Sequence, residues 1–264
     1  MNNCLVTKLK GVVDNDKLQP LGGIRLFSDI SNYDTTKYLV FASTTPQKII
    51  SRHNGSLLKE TTVDSNNTQV RPADSGFSGR VELIIPNKYA LTRIDMTGNP
   101  LFTGFSFDMF KYSNNLDFVN LCGDIDGDIT NLKCNDLHLM ATKDMVIDIT
   151  KLNVKQFSAN NNNNIKGDIA NIVNKPMTKI WGEGTKISGE VITFAEKRAE
   201  LNILDETILR GGVMTLNGKV FGAITVTVTF NSATSITITN NDDHIPTYTL
   251  TKETDGWKVT ETPK

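Results

Sequence analysis

Ile125-Asp-Gly-Asp-Ile-Thr-Asn-Leu132, Met145-Val-Ile-Asp-Ile-Thr-Lys-Leu152, Ile165-Lys-Gly-Asp-Ile-Ala-Asn-Ile172 and Ile187-Ser-Gly-Glu-Val-Ile-Thr-Phe194 are four versions of one eight-residue pattern. The first three begin 20 residues apart and the fourth begins 22 later. Each keeps an apolar residue at positions one, five and eight and an acid at position four. A period in this range is that of a solenoid, in which each repeat buries its apolar face by stacking on its neighbours. Solenoids present surface, so the chain reads first as a binding or structural module rather than an enzyme.

A candidate strand lies upstream of each copy, at 118–123, 137–141, 157–160 and 180–184. Repeat two runs Leu137-His-Leu139, then Met145, Ile149 and Leu152; repeat three runs Phe157-Ser-Ala159, then Asn162, Ile165, Gly167, Ile169 and Ile172. This order resembles the leucine-rich repeat, a strand L-x-L followed by an Asn and a G-x-I-x-x-L segment. Asn162 reads as the amide that bonds the turning backbone. Residues 191–204 are open to two readings, a short capping helix or a continued strand.

Outward from the repeats, residues 1–112 read as an N-terminal β-sandwich-like domain. Short apolar runs at 4–9, 24–27, 38–42, 48–51 and 81–85 are separated by Gly, Asn, Asp and Ser, with no helical periodicity between them. Asn54-Gly55 between Ile49-Ile50 and Leu57-Leu58 predicts a type I′ hairpin. The polar stretch 61–78 reads as an exposed loop. Residues 113–204 hold the solenoid of about four repeats. In the C-terminal β domain, 205–264, Ile224, Val226, Val228 and Phe230 alternate with Thr225, Thr227 and Thr229, the period of a half-buried strand. Ile236 and Ile238 repeat the theme, and Asn217-Gly218 and Asp255-Gly256 predict two further primed-turn hairpins. The expected fold class is therefore mainly β: sandwich-like domain, short leucine-rich-repeat-like solenoid, and antiparallel meander.

Charge and chemistry narrow the function. The 28 basic and 29 acidic residues leave a formal net charge of −1, with the bases dispersed. Nucleic-acid binders concentrate positive charge for phosphates, so nucleic acid is not an expected partner. No run of about 18 apolar residues occurs, so no membrane insertion is expected. The opening Met-Asn-Asn-Cys-Leu-Val-Thr-Lys lacks a basic region followed by an apolar core, so no signal peptide is read. Cys4, Cys122 and Cys134 are odd in number and read as free thiols of a reducing cytoplasm.

Asp124-Ile-Asp126-Gly-Asp128 alternates three carboxylates, as calcium loops do, yet Gly127 precedes the third acid and position twelve is Asn135 rather than Glu. The Asp-Ile pair recurs at Asp148 and Asp168, which assigns it to the repeat. His53, His138 and His244 share no metal-ligand spacing. Neither a zincin, a nucleophile-elbow nor a P-loop motif occurs. Cys122 and Cys134 read as small core residues rather than nucleophiles. No metal, cofactor or catalytic residue is expected. The candidate ligand or partner surface is the row between the buried pairs, His138, Met140, Ser158, Asn160 and Trp181, where an indole beside amides suits a sugar or a protein hot spot.

The chain resembles the leucine-rich-repeat tail and fibre-type structural proteins of crAss-like bacteriophages and related prophages. The residues that carry the resemblance are Leu5-Val-Thr-Lys-Leu-Lys-Gly-Val12, Leu21-Gly-Gly, and the Gly-Asp-Ile units at Gly127 and Gly167. It departs at repeat two, where Ile147 replaces the glycine, and in the C-terminal meander. The resemblance implies a non-enzymatic virion structural protein, made in the host cytoplasm and incorporated into the virion. It would be tail- or fibre-associated, docked through its N-terminal domain, its solenoid facing a neighbouring subunit or host receptor. Other virion proteins, further copies of the chain, and a host surface glycan or protein are the partners implied. The alternative is a bacterial surface adhesin or carbohydrate-binding module.

Overall fold

A computed structural model describes residues 24–96, 104–106, 116–122, 124–126, 132–140, 147–159, 165–182 and 185–264. The chain is mainly β, in several sheets, with a single α-helix among the described residues. It divides into two compact units, Met1–Met145 and Val146–Lys264.

The first unit carries β1 (Ile24–Ile30), β2 (Leu39–Ser43), β3 (Gln47–His53), β4 (Ser56–Val63), β5 (Thr68–Val70), β6 (Gly79–Ile85), β7 (Leu91–Asp95), β8 (Gly104–Ser106), β9 (Leu116–Cys122), β10 (Asp124–Asp126) and β11 (Lys133–Met140). One antiparallel sheet has the order β1-β6-β3-β4. A second runs β11-β9-β7-β2-β5, parallel from β7 to β11 and antiparallel beyond. β8 and β10 form a separate parallel pair. Phe41, Ile94, Val119 and Leu137 stand in register across four strands and are fully buried. The β3–β4 hairpin turns at Asn54 (φ 48°) and Gly55 (φ 84°), the two positive dihedrals a type I′ turn requires. The expected loop over 61–78 is a correction: its first residues complete β4, residues 68–70 form β5, and Val63, Val70 and Ala73 are buried. Pairing with β3 and β2 overrides the polar local composition.

The second unit carries β12 (Ile147–Asp148), β13 (Asn153–Ala159), β14 (Ile165–Asp168), β15 (Lys179–Gly182), β16 (Lys186–Glu190), α1 (Val191–Glu200), β17 (Thr207–Arg210), β18 (Val213–Leu216), β19 (Lys219–Gly222), β20 (Thr225–Ser232), β21 (Ser235–Asn240), β22 (Thr247–Glu253) and β23 (Gly256–Thr262). Successive strands from β12 to β18 alternate between two sheets. β13, β15 and β17 pair in parallel, and β20 to β23 continue that sheet antiparallel. β12, β14, β16 and β18 pair in parallel in the other sheet, closed by antiparallel β19. Phe157, Ile180, Leu209 and Val226 form a fully buried row.

Of the two primed turns expected in the C-terminal region, Asn217 (φ 50°) and Gly218 (φ 75°) make a type I′ turn. At the other, Glu253 pairs with Gly256, so Thr254 and Asp255 are the turn residues, and of these four only Gly256 has positive φ. That turn is not the expected primed turn centred on Asp255-Gly256.

Residues 191–200 are the helix rather than a strand. Glu190 caps its N-terminus by accepting from the Thr193 amide at 2.7 Å. At the other end Asn202 takes φ 56°; its amide bonds the Ala199 carbonyl and the Ile203 amide bonds that of Arg198, a Schellman closure.

The acid at position four of the pattern has the same work in each described repeat. Asp148 accepts from the Thr150 amide at 3.0 Å and hydroxyl at 2.7 Å, and Asp168 accepts from the Ala170 amide at 2.9 Å. Both cap one-turn 3-10 helices, Ile149–Lys151 and Ile169–Ile172. Burial alone would raise the Asp148 carboxyl, but its bonds to Thr150 and the charges of Lys151 and Lys166 outweigh that and hold it below its ordinary value of 3.8. A depressed folded-state value means stability that is present above the unfolded value and lost as pH falls through the folded one. Stability measured by urea unfolding is therefore expected to fall below about pH 4, and Asp148→Asn should flatten part of that decline. An unchanged acid limb in the variant would refute the cap's contribution.

Candidate functional site

In the second unit, Ser158, Trp181, Arg210 and Thr225 are in register across β13, β15, β17 and β20. Gln156, Lys179, Ile208 and Thr227 form the adjacent parallel row. Side chains alternate along a strand. Because Phe157, Ile180 and Leu209 point into the core, the flanking residues share the opposite, half-buried face. Strands about 4.8 Å apart make the first row roughly 14 Å long.

Trp181 sits inside the sheet with a paired strand on each side. The Arg210 guanidinium lies 4.7 Å from its ring centre and the Lys179 ammonium 5.9 Å from it. A cation over an indole is worth about 0.5–1 kcal/mol at exposed sites and more when desolvated.

Ser158 and Trp181, both expected on one face, are thus neighbours in register. His138 belongs to the first unit, where it stands opposite Asn120. Its ring lies 5.1 Å from Phe118, which packs 3.9 Å beneath the Arg93 guanidinium. Arg93 pairs with Asp95 at 2.6 Å, and Asn120 donates to the other oxygen of Asp95 at 3.0 Å. Met140 stands opposite Cys122 in β11. Its side chain lies outside the described residues, as do Asn160, Asn162 and Asp128. Sequence reasoning missed Lys179 and Arg210. Lys179 was within reach, two residues before Trp181 on the same strand face, whereas Arg210 joins the row only because β17 pairs with β15.

Cys134 is buried, and burial together with the nearby Asp136 charge pushes its thiol up to about 12. The thiolate is the nucleophile, so this sulfur is inert at neutral pH. In a variant keeping Cys134 as its only cysteine, maleimide labelling of native protein at pH 8 should be at least about a hundredfold slower than in denaturant. Equal rates would place the sulfur at the surface.

No family model, curated protein or solved structure matches the chain.

Proposed function

We propose that this chain is a non-enzymatic surface-presenting protein built on a short leucine-rich-repeat-like solenoid, with a sandwich-like N-terminal domain for docking and a meander at its C-terminal end. Strands alternating between two sheets with parallel pairing, and a capped helical segment after each of β12, β14 and β16, support the solenoid reading. The observation that carries the functional reading is the Ser158–Trp181–Arg210 row, a half-buried tryptophan stacked with an arginine on one sheet face. Trp and Arg are the residue types that dominate binding energy at interfaces. The resemblance of the opening segment and the Gly-Asp-Ile units supports a place in a phage tail or fibre, with a neighbouring subunit or a host surface ligand as the partner.

Trp181→Ala is the direct test. Binding of the purified chain to phage particles or host cells should weaken by tenfold or more, the cost of about 1.4 kcal/mol or above expected of a hot-spot residue. The melting temperature should change little, since the side chain is only half-buried. Undiminished binding would remove this face from the proposal.

A further inference from the structure

We propose that Asn54 is a site of spontaneous covalent modification, deamidation through a cyclic imide, and that Asn217 is protected from the same reaction. Asn54-Gly55 and Asn217-Gly218 each form a two-residue type I′ turn, and all four residues are exposed. A Cβ on either glycine would meet nothing within 4 Å, so both turns stand in open space.

The reaction needs only the chain and water. The Gly55 backbone nitrogen gives its proton to solvent and attacks Asn54 Cγ. The new C–N bond closes the imide as the Cγ–Nδ2 bond breaks, and ammonia leaves. Glycine favours this step because no Cβ crowds the approach. Water then opens the ring at Cγ to give aspartate, or at the main-chain carbonyl to give isoaspartate. Nothing is oxidised or reduced. Either product puts a carboxylate at the tip of the β3–β4 hairpin, beside the exposed Leu57. Isoaspartate also adds a methylene to the main chain inside the turn that His53 and Ser56 close.

Both sites start from the same backbone, with φ 48° at Asn54 and 50° at Asn217, so the cost of distorting the turn is common to them. What differs is the hold on the side chain. Asn217 Nδ2 donates to Glu261 at 2.8 Å, and the Asn217 backbone amide donates to Glu190 at 2.9 Å. Glu261 also accepts from the Lys219 ammonium at 3.1 Å. Its bonds to Asn217 and Lys219 hold its carboxyl below the ordinary value of 4.5, so it stays charged and accepting at neutral pH. Attack on Asn217 Cγ must therefore first break a charge-assisted bond.

The Asn54 backbone amide is bonded too, to the Arg80 carbonyl at 3.0 Å, but its side chain is not held. Asn54 Nδ2 lies 3.1 Å from His53 Nε2, which is itself 2.8 Å from the Ser78 carbonyl oxygen. A carbonyl oxygen only accepts, so Nε2 carries a hydrogen and donates it to Ser78. That ring nitrogen cannot then accept from the Asn54 amide. Among the described residues no other hydrogen bond restrains this side chain.

The test incubates the full chain in mildly alkaline buffer, folded and in urea, and follows the two sites by peptide mass spectrometry. Trypsin cutting after Arg52 and Lys59, and after Arg210 and Lys219, places each asparagine in a peptide with no other asparagine. Each site's rate in the folded chain is divided by its rate in urea, which removes the influence of local sequence. Asn54 is expected to convert in the folded chain, with a ratio about fivefold or more above that of Asn217, as loss of one hydrogen bond requires. Glu261→Ala, at an exposed position, should raise the Asn217 ratio towards that of Asn54 and leave Asn54 unchanged. An unmodified Asn54 in folded chain after the urea sample has converted would overturn the proposal. Equal ratios in the wild type, a higher ratio at Asn217, or an Asn217 ratio unmoved by Glu261→Ala would do the same.

Discussion

Gly167→Ala is expected to cost about 3–5 kcal/mol, among the largest single-residue losses in the second unit. Gly167 has φ +151°, which L side chains rarely adopt, and a Cβ there would overlap Ile149 Cγ1 and stand 3.1 Å from its Cδ1. The cause lies in the register. Ile147 pairs with Ile165 and Asp148 with Lys166, so each repeat is displaced two residues along the strand from the sequence alignment of the pattern. Position five of one repeat therefore meets position three of the next. The arrangement recurs one repeat on, where a Cβ on Gly189 (φ +145°) would strike Ile169. Ile149 and Ile169 are fully buried, so neither can swing aside without opening the core. Urea unfolding of Gly167→Ala, Ile149→Ala and the double variant tests this as a cycle. The double variant should be more stable than the sum of the singles predicts by at least about 1 kcal/mol. Strict additivity would mean that the two residues do not compete for one space.

Arg198→Ala should be comparably damaging, at about 3–5 kcal/mol. Arg198 is fully buried on α1, and burial lowers its guanidinium below the ordinary value despite the attraction of Asp205. Its Nη1 donates to the carbonyls of Lys175 at 2.9 Å and Val173 at 3.3 Å, while Nε and Nη2 have no hydrogen-bond partner among the described residues. The side chain thus ties the helix to the segment leaving the Ile169–Ile172 turn, and its removal strands one buried and one part-buried acceptor beside a cavity. Arg198→Met keeps most of the volume and relieves the desolvated charge, but still leaves the carbonyls unpaired. It should recover about half of the loss. Amide exchange at 173–178 should accelerate in both variants. Wild-type stability in Arg198→Ala would show that the carbonyls find other donors.

Much of this was legible in the chain. Period-two alternation located the strands of the meander, and Asn54-Gly55 and Asn217-Gly218 marked two hairpins. The glycine, acid and isoleucine of the repeat were visible as a pattern, but their separate roles as packing gap, helix cap and inserted side chain were not. Those roles depend on the stagger between repeats, which an alignment of the repeats on one another conceals. Arg198 was invisible for a related reason: an arginine in a short helix reads as solvent-facing until the helix is docked. The extension of β4 through residues 61–63 and the strand at 68–70 were hidden by polar residues whose backbone groups find partners in distant segments.

What the sequence by itself determined is therefore local: the β character, the repeat, two of the three tested hairpin turns, and the strand face on which Trp181 lies. These follow from dihedral preference and side-chain alternation, which involve neighbours along the chain. Only the tertiary structure decided which residues stand beside Trp181, because pairing β15 with β17 brings together residues 29 apart in the chain, Trp181 and Arg210. It likewise decided that His138 belongs to the first unit and that Gly167 makes room for Ile149. Register between strands is set by the burial of whole rows at once, and no single stretch of sequence carries that information.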